Sequence, residues 1–257
     1  MIQFTSESTA DGIADRGFTL PSPTVGDDVP GVLWTPDSPG PHPLVLTGHG
    51  GSLHKRQPAL EARARRFAGE FGFAVAAIDA PGHGERERSA ADAEHVAEIG
   101  RARRAGDSMD AVIAELNQSI AERAVPEWRA ALDGLLELPD IDPGAVGYTG
   151  MTLGSAIGFP LLAEESRIDA AVLGGYIVWD ELLAAARRVT VPVMVVVAWD
   201  DEEIPRDGGF ALFEALGSSV KTLHANPGSH RRIPASESEE SAQFLVRHLR
   251  TRALVSG

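Results

Sequence analysis

Short apolar runs alternate with longer segments of helical spacing along most of the chain. Each compact apolar run predicts a buried strand, and these runs are residues 44–47, 73–78, 145–149, 168–173 and 193–198. Apolar residues recur at helical spacing in the segments beside them, which are residues 58–71, 153–163 and 207–216. Strands that alternate with helices in this way predict an α/β fold with a mostly parallel sheet and helices on both faces.

Both ends of the chain extend this pattern. Residues 17–20 and 29–35 are β-like runs on either side of a turn-rich segment that contains Gly26, so we expect two antiparallel opening strands. Residues 220–223 predict the last strand, which makes the predicted sheet eight-stranded. Residues 236–254 predict a terminal helix whose acidic start and basic end complement the helix dipole.

Composition limits the possible partners. The formal net charge of -14 disfavours binding to nucleic acid or to an anionic membrane surface. The chain has no cysteine, which excludes disulfides, a thiolate nucleophile and thiolate metal ligands. It also has no secretory signal pattern and no apolar run long enough to span a bilayer, so we expect a cytoplasmic protein.

One stretch combines a strand, a sharp turn and a helix. Residues 150–154 read G-M-T-L-G, which resembles the G-x-S-x-G nucleophile elbow of α/β-hydrolases with Thr152 in place of serine. Such a turn requires very small residues two positions before and after the nucleophile, and Gly150 and Gly154 meet this requirement. Thr152 is therefore the candidate nucleophile.

An acid and a histidine follow in the chain order that this fold requires. In α/β-hydrolases the triad acid commonly lies four residues before a proline, in the pattern D-x-x-[V/I]-P. The segment after the strand at residues 193–198 resembles this pattern with Asp201 and Pro205, so the resemblance favours Asp201 over Asp200 as the triad acid. His230 lies in a loop that contains glycine and proline, just after the last predicted strand, and is the candidate general base. His224 lies on the strand itself and is the lesser candidate.

An oxyanion hole needs two backbone N–H groups that point at the charge developing on a carbonyl oxygen. Leu153, directly after the candidate nucleophile, supplies one of them. For the other we choose Gly51, because His49-Gly50-Gly51 resembles the H-G-G motif of esterases; Gly50 and Ser52 are the neighbouring alternatives.

Together these motifs resemble the α/β-hydrolase superfamily over nearly the whole chain, in its dienelactone-hydrolase-like and small-esterase branches. The resemblance implies one α/β-hydrolase domain over residues 1–257. It also implies attack by Thr152 on a small-molecule carboxylic ester or lactone, with His230 as base, Asp201 as its partner, and an acyl-enzyme that water cleaves. No cofactor and no metal are expected.

Thr152 is a departure from the pattern of the superfamily. The nucleophile at such an elbow has a positive φ, which is costly for a β-branched residue, and the extra methyl group crowds the acyl group. A weaker or narrower hydrolase is therefore expected. A degenerate hydrolase that acts as a binding protein, and a lyase or transferase without an acyl intermediate, stay open as alternatives.

The segment between residues 85 and 139 is too long for one crossover helix. Residues 90–105 and 108–124 predict helices, and Pro126 suits the start of a further helix over residues 127–138. We interpret the last helix as the crossover and residues 85–125 as a helical insertion near the rim of the active site. A pair of surface helices unrelated to the site is the alternative.

Overall fold

The computed structural model describes residues 1–24, 27–230 and 234–253, with the backbone alone at residues 250–253. Two predicted features, the turn at Gly26 and the helix end at Leu254, lie outside the described residues.

One sheet runs through the described part of the chain, in the strand order β1-β2-β3-β5-β4-β6-β7-β8-β9. From β5 to β9 in this order, all neighbouring strands are parallel, whereas β1, β2, β3 and β5 pair antiparallel. The mostly parallel α/β sheet is therefore confirmed. The strands are β1 (Gln3–Ala10), β2 (Ile13–Leu20), β3 (Val29–Pro36), β4 (His42–Gly48), β5 (Ala74–Ile78), β6 (Ile141–Met151), β7 (Ala170–Gly174), β8 (Val193–Ala198) and β9 (Lys221–Asn226).

The prediction of eight strands is wrong, because the described residues contain nine. The additional strand is β1, all of whose side chains are exposed, so it lacks the alternation of apolar and polar residues that marks a half-buried strand. It pairs with β2 through a two-residue turn in which Asp11 and Gly12 both have positive φ, at 53° and 72°. Asp-Gly is a favoured sequence for such hairpin turns.

Helices cover both faces of the sheet, as predicted. They are α1 (Pro58–Phe71), α2 (Ala90–Ala105), α3 (Asp110–Leu135), α4 (Leu153–Glu164), α5 (Asp180–Arg188), α6 (Arg206–Ala215) and α7 (Ala235–Ala253). Buried residues of α1 and α7 form the apolar core on one face, and those of α3, α4, α5 and α6 belong to the core on the other. The sheet is therefore a continuous layer between two cores.

Pro126 does not begin a helix, contrary to the prediction. It lies inside α3, which continues from Asp110 to Leu135 as one helix. Proline removes one backbone hydrogen bond in a helix interior and crowds the carbonyl four residues earlier. Buried residues on both sides of Pro126, among them Val125 and Trp128, pack the helix against the core. This packing outweighs the local preference for a break.

Candidate active site

The candidate nucleophile lies between β6 and α4. Thr152 has φ 51° and ψ −114°, the positive φ expected of an elbow nucleophile. The two flanking glycines permit the sharp turn: a Cβ at Gly150 would lie 2.5 Å from the Gly154 carbonyl oxygen. A Cβ at Gly154 would lie 2.6 Å from the carbonyl oxygen of Gly48, at the end of β4. No side chain fits at either position, so the predicted need for small residues is met.

Asp201 and His230 contact each other. His230 Nδ1 lies 3.1 Å from Asp201 Oδ2. The other carboxylate oxygen, Oδ1, accepts the backbone N–H groups of Glu203 and Ile204 at 2.9 and 2.8 Å. These two hydrogen bonds fix the Asp201 carboxylate within the turn at residues 201–204. The fixed carboxylate then holds the His230 imidazole in one orientation.

The two lesser candidates lie elsewhere. Asp200 is exposed, and its backbone N–H donates to the Gly228 carbonyl oxygen. The ring of His224 faces α7, where its Nδ1 lies 3.2 Å from Glu237 Oε2. The geometry therefore favours Asp201 and His230 over both.

Thr152 and His230 line the same cavity, of about 160 Å³, which we call the His230 cavity. The hydrogen bonds of these two side chains within the described residues do not include one between them. Catalytic hydrogen bonds are often long in ligand-free structures and shorten when substrate binds. The shared cavity is therefore the observation that relates the two residues.

Both predicted oxyanion donors lie beside the candidate nucleophile. The Gly51 N–H donates to Thr152 Oγ1 at 3.3 Å, and Leu153 is the first residue of α4. A Cβ at Gly50 would lie 2.8 Å from Thr152 Oγ1, so glycine is required where this loop passes the hydroxyl. The loop after β4 therefore passes close to the hydroxyl and directs the Gly51 N–H at Oγ1.

The sequence profile of the Dienelactone hydrolase family matches residues 29–225, which include most of this site and more than half of the chain. The chain belongs to the dienelactone hydrolase family. The family is part of the α/β-hydrolase superfamily, so the predicted fold is confirmed. A search of curated proteins finds no match to the sequence.

Solved structures similar to this family member include esterases and a dienelactone hydrolase. A cold-adapted esterase from an Arctic intertidal metagenomic library is 32% identical, with a TM-score of 0.79 over 96% of this chain and 99% of that chain. An acetyl xylan esterase from a Paenibacillus species is 14% identical, with a TM-score of 0.74 over 97% and 88% of the two chains. A dienelactone hydrolase from Anabaena variabilis is 20% identical, with a TM-score of 0.67 over 93% and 99%.

The two structures with lower identity show the shared fold. Family membership and the esterase neighbours together support the predicted enzyme class, a carboxylic-ester hydrolase.

Two buried residues that the sequence analysis did not single out support the elbow of this dienelactone hydrolase family member. Tyr148 Oη donates to the Gly154 carbonyl oxygen at 2.6 Å, and burial raises the pKa of this phenol, which keeps it protonated as a donor. Ser155 Oγ lies 2.7 Å from the Gly150 carbonyl oxygen and accepts the Gly174 N–H at 2.9 Å. Both side chains therefore bind backbone around Thr152.

His49 holds the loop after β4, which contains Gly50 and Gly51, by hydrogen bonds. Its Nε2 accepts the backbone N–H of Ala80 at 3.0 Å, so Nδ1 carries the proton and donates to the Gly50 carbonyl oxygen at 2.9 Å. Burial lowers the pKa of His49 from 6.5 to about 4, and the ring is neutral at physiological pH. His49 therefore joins the loop after β4 to the loop after β5.

The helices between residues 85 and 125 contribute to the walls of the site. Ile113 and Asn117, near the start of α3, line the His230 cavity together with Thr152. Arg103 near the end of α2 lies 3.7 Å from Glu203, which is two residues after Asp201 and also lines this cavity. This ion pair connects α2 to the loop that carries the candidate acid.

Neither a metal site nor a membrane span is found in the described part of the chain. Its His, Asp and Glu side chains form no group of three or more that could hold a metal ion. None of its helices combines the length and the apolar character needed to cross a membrane.

Proposed function

We propose that the enzyme cleaves a small carboxylic ester or lactone with Thr152 as nucleophile, His230 as general base and Asp201 as the acid that orients the base. One observation carries this proposal: His230, hydrogen-bonded to Asp201, borders the cavity that Thr152 lines, and Thr152 has the backbone conformation of an elbow nucleophile. A binding protein would need neither the paired imidazole nor the strained threonine.

In the proposed reaction, His230 Nε2 removes the Thr152 hydroxyl proton as Oγ1 attacks the substrate carbonyl carbon. The backbone N–H groups of Gly51 and Leu153 stabilise the negative charge on the carbonyl oxygen. His230 then donates its proton to the leaving alcohol, which leaves an ester between the acyl group and Thr152. Water, activated by the same imidazole, releases the acid and restores the threonine.

The threonine methyl group sets a limit on this chemistry. A Cβ at Gly175 would lie 3.5 Å from Thr152 Cγ2, so the methyl group faces the loop after β7. Serine at this position would have the same hydroxyl without the methyl group, in a conformation that costs less. We therefore expect slow turnover by threonine.

The test compares Thr152→Ala with Thr152→Ser. Mass spectrometry after incubation with a fluorophosphonate should find a covalent adduct on the wild type and on the serine variant, and none on the alanine variant. The serine variant should also hydrolyse a p-nitrophenyl ester about tenfold faster, because relief of only ~1.4 kcal/mol in the transition state has this effect.

Circular dichroism spectra of both variants should match the wild type, which controls for folding. An unlabelled wild type, together with an alanine variant of full activity, would refute Thr152 as nucleophile. That result would favour the lyase or transferase hypothesis, in which no acyl adduct forms.

A further inference from the structure

A second cavity lies beside the His230 cavity. It has a volume of about 390 Å³ and is lined by α2 and α3, and we call it the insertion cavity. The two cavities share four residues of their walls, which are Gly51, Ile113, Asn117 and Leu153. Since Gly51 and Leu153 are the proposed oxyanion donors, the substrate carbonyl would lie at the wall residues that border both cavities.

The position of the base assigns the two halves of an ester to the two cavities. His230 must reach the oxygen of the leaving alcohol to protonate it. His230 borders the His230 cavity, and the described wall of the insertion cavity does not include it. The alcohol half therefore faces the His230 cavity, and the acyl half extends past Gly51 and Leu153 toward α2.

A third cavity, of about 310 Å³ between α1 and α7, also borders His230. Its described lining does not include Thr152, Gly51 or Leu153, so an ester bound there is not in contact with the proposed nucleophile or with the oxyanion donors. We therefore assign the alcohol half to the His230 cavity, whose wall includes His230, Thr152 and both proposed oxyanion donors.

The walls of the insertion cavity suit a hydrocarbon chain. Apolar side chains from α2, α3 and the start of α4 form much of its surface, and they include Val96, Ile99, Ile113, Leu116, Ile120 and Leu153. Among the charged residues of its wall, Asp92 is buried against Arg123 in an ion pair, whereas Arg88 and Arg103 are exposed. The larger part of the wall is therefore apolar.

We propose that this enzyme prefers esters of a small alcohol with a long-chain acid, the acyl chain lying in the insertion cavity. A cavity of roughly 150 Å³ holds one benzene molecule, which has six heavy atoms. By that measure the His230 cavity, at 160 Å³, accepts an alcohol of about six heavy atoms. By the same measure the insertion cavity, at 390 Å³, accepts an acyl chain of about fifteen carbon atoms. This inference rests on the proposed function and deepens it by naming the substrate class.

The test uses two series of alkyl esters followed by pH-stat titration: methyl esters from acetate to octadecanoate, and acetate esters from methyl to octyl. Wild-type kcat/KM should rise with acyl length to about fifteen carbons and fall beyond, because each buried methylene adds binding energy until the cavity is full. In the alcohol series it should fall beyond about six heavy atoms.

Two tryptophan variants separate the cavities. Of the two cavities that hold the ester, Ile99 lines only the insertion cavity and Ile204 lines only the His230 cavity. Ile99→Trp should lower kcat/KM for methyl tetradecanoate at least tenfold and change that for methyl acetate less than twofold. Ile204→Trp should instead lower kcat/KM for hexyl acetate and leave the acyl-length optimum in place.

The outcomes distinguish this inference from the function beneath it. A wild type that cleaves none of the esters contradicts the proposed function itself. A wild type that cleaves them, with an acyl-length optimum that Ile99→Trp does not shorten or that Ile204→Trp shortens equally, overturns the assignment of the cavities.

Discussion

At the scale of single residues, Asp201 and His230 form one hydrogen-bonded pair. Asp201→Asn replaces the carboxylate that faces His230 Nδ1, which allows the wrong tautomer and removes the charge that stabilises the imidazolium. We expect this substitution to lower kcat by about 10³-fold or more, and we expect His230→Ala to lower kcat by a similar factor. Steady-state kinetics with a p-nitrophenyl ester measures both effects.

Matched controls are available for each substitution. Asp200→Asn changes the exposed neighbour of the acid, and His224→Ala changes the histidine that faces Glu237 instead of the cavity. Both controls should retain most of the activity. The reverse ranking within either pair would show that the wrong residue of the pair had been chosen.

Residue-scale features were predictable from sequence where a local motif carries them. The small residues at Gly150 and Gly154 and the positive φ of Thr152 follow from the elbow pattern itself. The contact between His49 and Ala80 does not, because the two residues are 31 positions apart and meet only through the pairing of β4 with β5. The role of the site residues in catalysis stays a prediction.

The hairpin of β1 and β2 is the clearest case at the scale of elements. β1 covers the edge of β2 although its own side chains are exposed, so it contributes mainly backbone hydrogen bonds. Deletion of residues 1–10 should lower the melting temperature by roughly 5 °C and leave an exposed strand edge that promotes aggregation. Thermal denaturation and light scattering over a range of concentrations measure these two effects.

Ester hydrolysis should persist in the truncated protein at a low concentration. β1 lies at the outer end of the sheet, and β2, β3, β5 and β4 separate it from β6, which leads to Thr152. Unchanged melting and scattering, or loss of catalysis in a folded truncated protein, would contradict this view of the hairpin.

Sequence reasoning at this scale succeeded for apolar segments and failed where tertiary contacts decide. The buried strands at the centre of the sheet are continuous apolar runs and were found, whereas β1 has no apolar pattern to find. Pro126 is a legitimate local signal for a helix start, but the packing of Val125 and Trp128 keeps α3 continuous. The tendency of one proline to break a helix is weaker than the stabilisation from these buried side chains.

At the scale of the whole molecule, stability should depend on pH through buried histidines. The pKa of His49 is lowered by burial from 6.5 to about 4, so the unfolded chain takes up a proton at a higher pH than the folded protein does. The stabilisation is complete above pH 6.5 and is lost as the pH falls toward 4. The gap in pKa corresponds to about 3 kcal/mol in the free energy of unfolding.

Urea denaturation of the wild type and of His49→Gln between pH 7.5 and pH 4 tests this expectation, since glutamine retains an acceptor for the Ala80 N–H but does not titrate in this range. The variant should lose less stability than the wild type as the pH falls. His83, whose pKa is also lowered by burial, acts in the same direction and remains in both proteins. Equal slopes would contradict the role assigned to His49.

The overall architecture was more predictable than its details. Alternation of strands and helices indicates an α/β sheet without reference to any contact, and the sheet has that form. The order of the strands depends on which crossovers pack best, and it could be expected only from the resemblance to a family. One domain over residues 1–257 stays a prediction.

The ion pair between Arg103 and Glu203 attaches α2, which lines the insertion cavity, to the loop that carries the candidate acid. Asp92 is the buried residue of α2, and it too is held by an arginine, Arg123. Dissolved salt screens and weakens exposed ion pairs such as Arg103–Glu203. It changes the stability that comes from buried apolar side chains much less. We therefore expect a rise in ionic strength to loosen the attachment of α2 to the loop of the candidate acid, through an ion pair that involves no residue of the central sheet.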